Sequence, residues 1–180
     1  WDEAARLPRD AIRRMGEVGI LGVVGAKDLG GQARDYVSLG IAIEEIAAAD
    51  VSCAIIAWQL ATHSHFLPGW GEDTVRAVHA GECIIALATS EENAGSDVSG
   101  METRAARDGD EYVINGRKIH VSAMPGADVL AVSAKIDIQG ERKSRIGLLR
   151  VPTNSPGVSS SPMEQMGARA HCLGVVEFRD

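Results

Sequence analysis

The sequence is short of cysteine, of positive charge and of any long apolar run. Its 180 residues include three cysteines, Cys53, Cys83 and Cys172, far apart in the chain. So sparse and odd a set argues against a disulfide framework and offers no zinc-ligand spacing. Three reduced thiols in a cytoplasmic protein are expected instead. Lys and Arg number 18 against 25 Asp and Glu, a formal net charge of −7. That balance argues against nucleic acid or an anionic membrane surface as the main partner, while leaving room for a locally basic pocket around a phosphate-bearing ligand. No apolar run reaches the roughly 20 residues of a membrane helix, and no signal-peptide pattern is read in the chain.

Several chemical signatures are missing as well. Gly19, Gly22 and Gly25 are spaced G-x-x-G-x-x-G. The dinucleotide fingerprint is G-x-G-x-x-G between a strand and a helix, so these glycines read as a connection between helices. There is no phosphate-binding G-x-x-x-x-G-K-S/T. There is no G-x-S-x-G either, so Ser96 has no nucleophile elbow. His63 and His65 are two apart and share no helix face, which leaves them without metal-site geometry.

What is present falls into two halves. Residues 1–84 carry helical spacing. One helix is expected from Arg9 to Val18 behind Pro8, and a second from about Asp35 to Ala49, with Glu44 and Glu45 on a solvated face. A third runs from Val51 to Ser64, capped by Asp50 and apolar nearly all round, and a short fourth from Glu72 to His79. From residue 85 the period changes to two. Asp108-Gly109 and Asn115-Gly116 both read as tight hairpin turns. Further strands are expected at Val129–Ala134, Ile146–Val151, Val158–Ser161 and Gly174–Phe178. The fold class is therefore α+β: an all-α domain over 1–84, then a mainly antiparallel β-barrel domain over 85–180. The chain begins at Trp1 rather than Met and ends in VVEFRD, a strand still in progress, so a piece of a longer polypeptide is expected.

The segment with the most chemistry is TSEENAGSD, Thr89–Asp97, directly after the apolar run CIIALA. It holds three hydroxyls, free backbone N–H groups, and Gly95 for close approach. That composition suits a phosphate or a polar heteroring. Glu91 and Asp97 are acid/base candidates, but capping of the loop is the stronger reading of both. Ser122, at the end of a later strand, can supply a second polar wall around a flat ligand.

These stretches resemble one family. ALATSEENAGSD is similar to the flavin motif A-F-A-L/M-T-E-P-x-A-G-S-D of the acyl-CoA dehydrogenases. DGDEYVINGRKIHVS resembles their D-G-x-x-Y/W-V-I/L-N-G-x-K-x-W/F/Y-I/V-S/T. GILGVVGAKDLGGQARDYVSLGIAIEEIAAAD and QMGARAHCLGVVEFRD resemble two more segments, and all four are collinear. The resemblance implies FAD as cofactor and α,β-desaturation of an acyl thioester, carried on CoA or an acyl-carrier protein. It also implies electron-transfer flavoprotein or another acceptor as partner, and a homo-oligomer. Carried over residue by residue, it implies that Leu87, Ala88, Thr89 and Ser90 run along the flavin, with Gly95 and Ser96 near the pyrophosphate. Ser96 also lies near the thioester, and His120, Val121 and Ser122 cover the ring and face its N5. The family's catalytic glutamate lies in a C-terminal helical bundle that is not among these 180 residues, so neither Glu91 nor Glu92 is assigned as base. Three positions depart from the pattern: Leu87 for an aromatic, Glu92 for Pro, and His120 for a large aromatic. They keep other reactions of the superfamily open, namely carrier-protein dehydrogenase, oxidase and monooxygenase, while the absence of the bundle from these residues keeps open a non-catalytic remnant of the fold.

Overall fold

The structure is a computed structural model that describes residues 1–66, 69–137 and 144–180, without the side chains of 64–66. It divides into two compact units. Trp1–Ile85 with Glu164–Cys172 form a helical unit, and Ala86–Met163 with Leu173–Asp180 form a β unit.

The helical unit contains α1 (Arg9–Glu17), α2 (Tyr36–Ala49), α3 (Val51–Phe66) and α4 (Glu72–His79). Side-chain caps set two of the starts. The Asp35 carboxylate accepts the Ser38 N–H at 2.8 Å at the head of α2. The Asp50 carboxylate accepts the Cys53 N–H at 2.8 Å at the head of α3. Each satisfies a backbone donor that the first helical turn leaves without a partner. Asp50→Ala should therefore destabilise this unit by about 1 kcal/mol, read as a shift in urea midpoint at unchanged slope; no shift would mean that water replaces the cap.

Buried Leu39 of α2 packs with Val23, Val24 and Ala61, and Ile43, one turn on, packs against the same group. Ala42 and Ile46 are half-buried, whereas Val37 is 69% and Ile41 59% exposed. Glu44 and Glu45 are also exposed. On α3, Ile56, Ala57, Leu60 and Ala61 are fully buried, as its apolar character predicts, but Trp58 is half exposed. The glycine-rich connection after α1 forms two short 3₁₀ turns, at Ile20–Gly22 and Lys27–Leu29. Residues 164–172 join this unit through Asp2. Its carboxylate accepts the Ala170 N–H at 2.9 Å and the Ser52 hydroxyl at 3.1 Å. No helix among the described residues is long and apolar enough to cross a membrane.

Among the described residues the β unit is one curled sheet of seven strands: β1 (Ile85–Ala88), β2 (Arg104–Asp108), β3 (Glu111–Ser122), β4 (Val129–Ile136), β5 (Arg145–Pro152), β6 (Val158–Pro162) and β7 (Leu173–Phe178). Their order is β1-β4-β2-β3-β7-β6, with β5 also on β4. The pairings β2–β3, β3–β7, β4–β5 and β6–β7 are antiparallel, whereas β2 and β4 run parallel over Arg104–Ala105. Central β4 is buried from Val129 through Ser133 and Ala134.

One expectation about turns fails. Asp108-Gly109 does open a hairpin, since Asp108 pairs with Glu111. Asn115-Gly116 does not, because β3 runs straight through it. Asn115 pairs with Arg104, the first residue of β2, and Gly116 pairs with Phe178 of β7. The strand changes partner at this point without reversing direction, and the glycine serves a close approach to Thr103.

Candidate active site

The loop 89–103 leaves the end of β1 and returns as β2. Its first residues are held by polar contacts within the β unit. The Thr89 and Ser133 hydroxyls are 3.0 Å apart. The Ser90 carbonyl accepts the Ile119 N–H at 2.9 Å. Glu91 and Ala94 close a tight turn through backbone hydrogen bonds of 2.8 and 3.3 Å. Further on, the Asp97 carboxylate accepts the Ser99 N–H at 2.9 Å, the capping role expected of it.

On the facing strand, β3 is irregular. Lys118 pairs with Val176 and Val121 with Gly174, so residues 119 and 120 form a bulge. His120 sits there at φ +55°, and its side chain is exposed. A bulge re-aims side chains and frees backbone groups from the ladder. Here Ile119 directs its N–H to Ser90.

Beneath this contact lies a buried ion pair. Lys118 is 0% exposed and Glu91 8%. Lys118 Nζ donates to Glu91 Oε1 at 2.8 Å and to the Thr89 carbonyl at 3.1 Å. The Glu91 carboxylate also accepts the N–H groups of Glu102 at 2.6 Å and Thr103 at 3.0 Å. Burial pushes the Glu91 carboxyl up, but the hydrogen bonds from Lys118 and the two backbone donors outweigh it and hold it down at about 2. Burial pushes the Lys118 ammonium down, and Glu91 opposes that shift. Outside the buried pair, exposed Glu92 is ion-paired with Arg117.

The sequence-predicted residues divide into three groups. Thr89 and Ser90, half-buried, are brought against the β3 segment that carries His120, Val121 and half-buried Ser122. Leu87 is 38% exposed on β1, while Ala88 and Val121 are fully buried, backbone included, and offer a ligand no surface. Gly95 and Ser96 stand exposed further along the loop, and a Cβ built on Gly95 meets nothing within 4 Å. An apolar side chain, hydroxyls, an imidazole and an open glycine are a donor set suited to a flat ring with a polar edge and an attached anionic group. Away from this site, half-buried His63 has an unpartnered Nδ1, and burial pushes its imidazole down to about 4. The side chain of His65 lies outside the described residues.

Sequence reasoning missed Lys118 altogether and weighed Glu91 only as an acid/base or capping residue. Locally, a lysine in a polar strand reads as solvated. The one available signal was that both residues are fixed letters of the two motifs, T-E-P and N-G-x-K.

The model of the acyl-CoA dehydrogenase N-terminal domain matches residues 1–79, and that of the acyl-CoA dehydrogenase middle domain matches residues 86–180. The chain is 31% identical over 186 residues to the probable acyl-CoA dehydrogenase YngJ of Bacillus subtilis (strain 168), covering 99% of this chain and 49% of that protein. It is 33% identical over 183 residues to the mitochondrial isovaleryl-CoA dehydrogenase of Pongo abelii, covering 96% and 43%. Among solved structures, the glutaryl-CoA dehydrogenase of Mycobacterium smegmatis in complex with FADH2 superposes with a TM-score of 0.88 at 28% identity, over 100% of this chain and 47% of that one. The chain thus spans about half the length of the relatives it matches.

Proposed function

Because the chain belongs to the acyl-CoA dehydrogenase family, we propose that it forms the N-terminal and middle parts of an FAD-dependent enzyme that introduces an α,β double bond into an acyl thioester. The observation that carries this reading is the docking of Thr89–Glu91 on the bulge of β3, which brings two motifs distant in sequence to one place. The residues there fit FAD. Leu87 offers apolar surface to the ring, the hydroxyls of Thr89, Ser90 and Ser122 its polar edge, and Gly95 with Ser96 a place for phosphate. His120 would cover the ring. Ala88 and Val121, fully buried, would back the site without meeting the ring. When bound, FAD supplies the acceptor for the two electrons leaving the substrate. Ser96 would help to hold the thioester, on CoA or an acyl-carrier protein.

The base that takes the α-proton is not assigned within this chain. Glu91 is unsuited, since a buried carboxylate held at about 2 and engaged by three donors has little affinity for a further proton. Glu92 is engaged by Arg117. The usual base of the family is a glutamate of its C-terminal domain. The electron acceptor would be electron-transfer flavoprotein or another carrier, and the whole enzyme a homo-oligomer. Three cysteines, none of them in a disulfide, suit a reducing, cytoplasmic location. Exposed His120 on the bulge favours a second reading, an oxidase or monooxygenase of the same superfamily, because imidazole covers less of the ring than a large aromatic.

The test is a visible spectrum of the native full-length protein, followed by anaerobic addition of acyl thioesters. A flavin band that bleaches supports the dehydrogenase. Rapid peroxide formation in air points to the oxidase, and a colourless protein that takes up no FAD overturns both. Ser122→Ala should weaken FAD binding or slow flavin reduction by the value of one hydrogen bond, about 1 kcal/mol. Unchanged affinity, spectrum and rate would remove Ser122 from the site.

A further inference from the structure

We propose that the buried pair Lys118–Glu91 is a positioning device: it staples both ends of the loop 89–103 to the bulge of β3 and so sets the spacing of the two walls that receive FAD. This rests on the reading of the site given above.

The loop has little apolar packing of its own. Between residues 92 and 100 only Ala94 is buried, and the turn at Val98–Gly100 is exposed. Burial does not fix such a segment, so polar contacts must. The Glu91 carboxylate supplies them at both ends. It lies three residues past β1, and it accepts the N–H groups of Glu102 and Thr103, just before β2. Lys118 then ties that carboxylate and the Thr89 carbonyl to β3, two residues before His120. Thr89 and Ser90 on one wall, and His120 and Ser122 on the other, are thus referred to one ammonium group. Neither Lys118 nor Glu91 is itself exposed toward a ligand. A buried pair of this kind is a poor source of stability compared with apolar side chains of similar volume. Its use here is to define one geometry.

The experiment compares stability with FAD affinity in the native full-length protein. Either single variant, Glu91→Gln or Lys118→Met, leaves a buried group without its partner and should lower the melting temperature. The double variant Glu91→Gln/Lys118→Met removes the charges together and should regain most of it. If the pair positions the loop, the double variant still binds FAD at least tenfold more weakly. Its flavin band is also shifted, and the amides of Glu102 and Thr103 exchange faster in the flavin-free protein. If stability and FAD affinity recover together, within twofold of the wild type and with the band unmoved, the pair is structural only and the proposal falls. Glu91→Asp is the second probe. It keeps the charge and shortens the reach by one methylene, and it should weaken FAD binding several-fold with a small change in melting temperature. Unaltered FAD affinity in Glu91→Asp likewise overturns the proposal. A wild-type protein that takes up no FAD overturns the functional reading itself, an outcome distinct from variants that bind as the wild type does.

Discussion

Glu91→Ala is expected to destabilise the β unit by about 3–5 kcal/mol, the range found when one partner of a buried ion pair is removed. Two costs add. Lys118, fully enclosed, keeps a charge that only the Thr89 carbonyl then faces. The N–H groups of Glu102 and Thr103 lose their acceptor at the start of β2. The effect also has a pH signature. The Glu91 carboxyl is held at about 2, against an ordinary value of 4.5. On acidification the unfolded chain therefore takes up its proton before the folded one does. The stability linked to this group is fully present above about pH 4.5 and is lost as the pH falls to about 2. A shift of this size corresponds to roughly 3 kcal/mol. Urea unfolding of wild type and Glu91→Ala across this window checks both points: the two curves should be far apart at neutral pH and converge toward pH 2. Curves that stay parallel would show that Glu91 is not ionised within the pair.

The second large effect is expected at Gly116, where Gly116→Ala should cost roughly 3 kcal/mol or more. Two terms again combine, a close contact and an unfavourable backbone. A Cβ at this position would lie 2.7 Å from both Cα and Cβ of Thr103, and closer still to its hydroxyl. The backbone is at φ +155°, which L side chains rarely adopt. Thr103 cannot simply retreat, because its N–H is bound to Glu91 and its carbonyl accepts the Lys135 N–H at 2.9 Å. The same substitution should also accelerate amide exchange at Thr103. A loss under about 1 kcal/mol would mean that β2 moves freely against β3.

Much of the architecture was open to inspection of the sequence, for local reasons. Asp50 marks the start of α3 because a carboxylate next to an apolar helical run caps it. The bounds of α4 and the hairpin at Asp108-Gly109 follow from similarly short-range chemistry. Asn115-Gly116 shows where this reasoning ends. Locally it looks like the other hairpin, yet β3 continues because β7 is waiting to pair with its second half. Partner availability is not a property of a dipeptide. In the same way, the apolar residues of α2 predicted a helix, but that Leu39 is buried and Ile43 packs beside it, while Val37 and Ile41 face out, depends on which stripe meets the neighbours. The excursion of residues 164–172 into the helical unit was equally invisible, since it depends on Asp2 at the other end of the chain.

The site follows the same division. Sequence alone determined the α+β organisation and the family, and proposed the hydroxyls, glycine and imidazole at Thr89–Ser96 and His120–Ser122 as the candidate site, because composition, period and motif letters are carried by neighbouring residues. Only the tertiary structure decided that Ala88 and Val121 turn inward, that Ile119 gives its N–H to Ser90, and that Lys118 is buried against Glu91. The physical reason is distance along the chain. Lys118 and Glu91 are 27 residues apart, and the cost of burying either charge is offset only by the other, once β3 and the loop have been brought together.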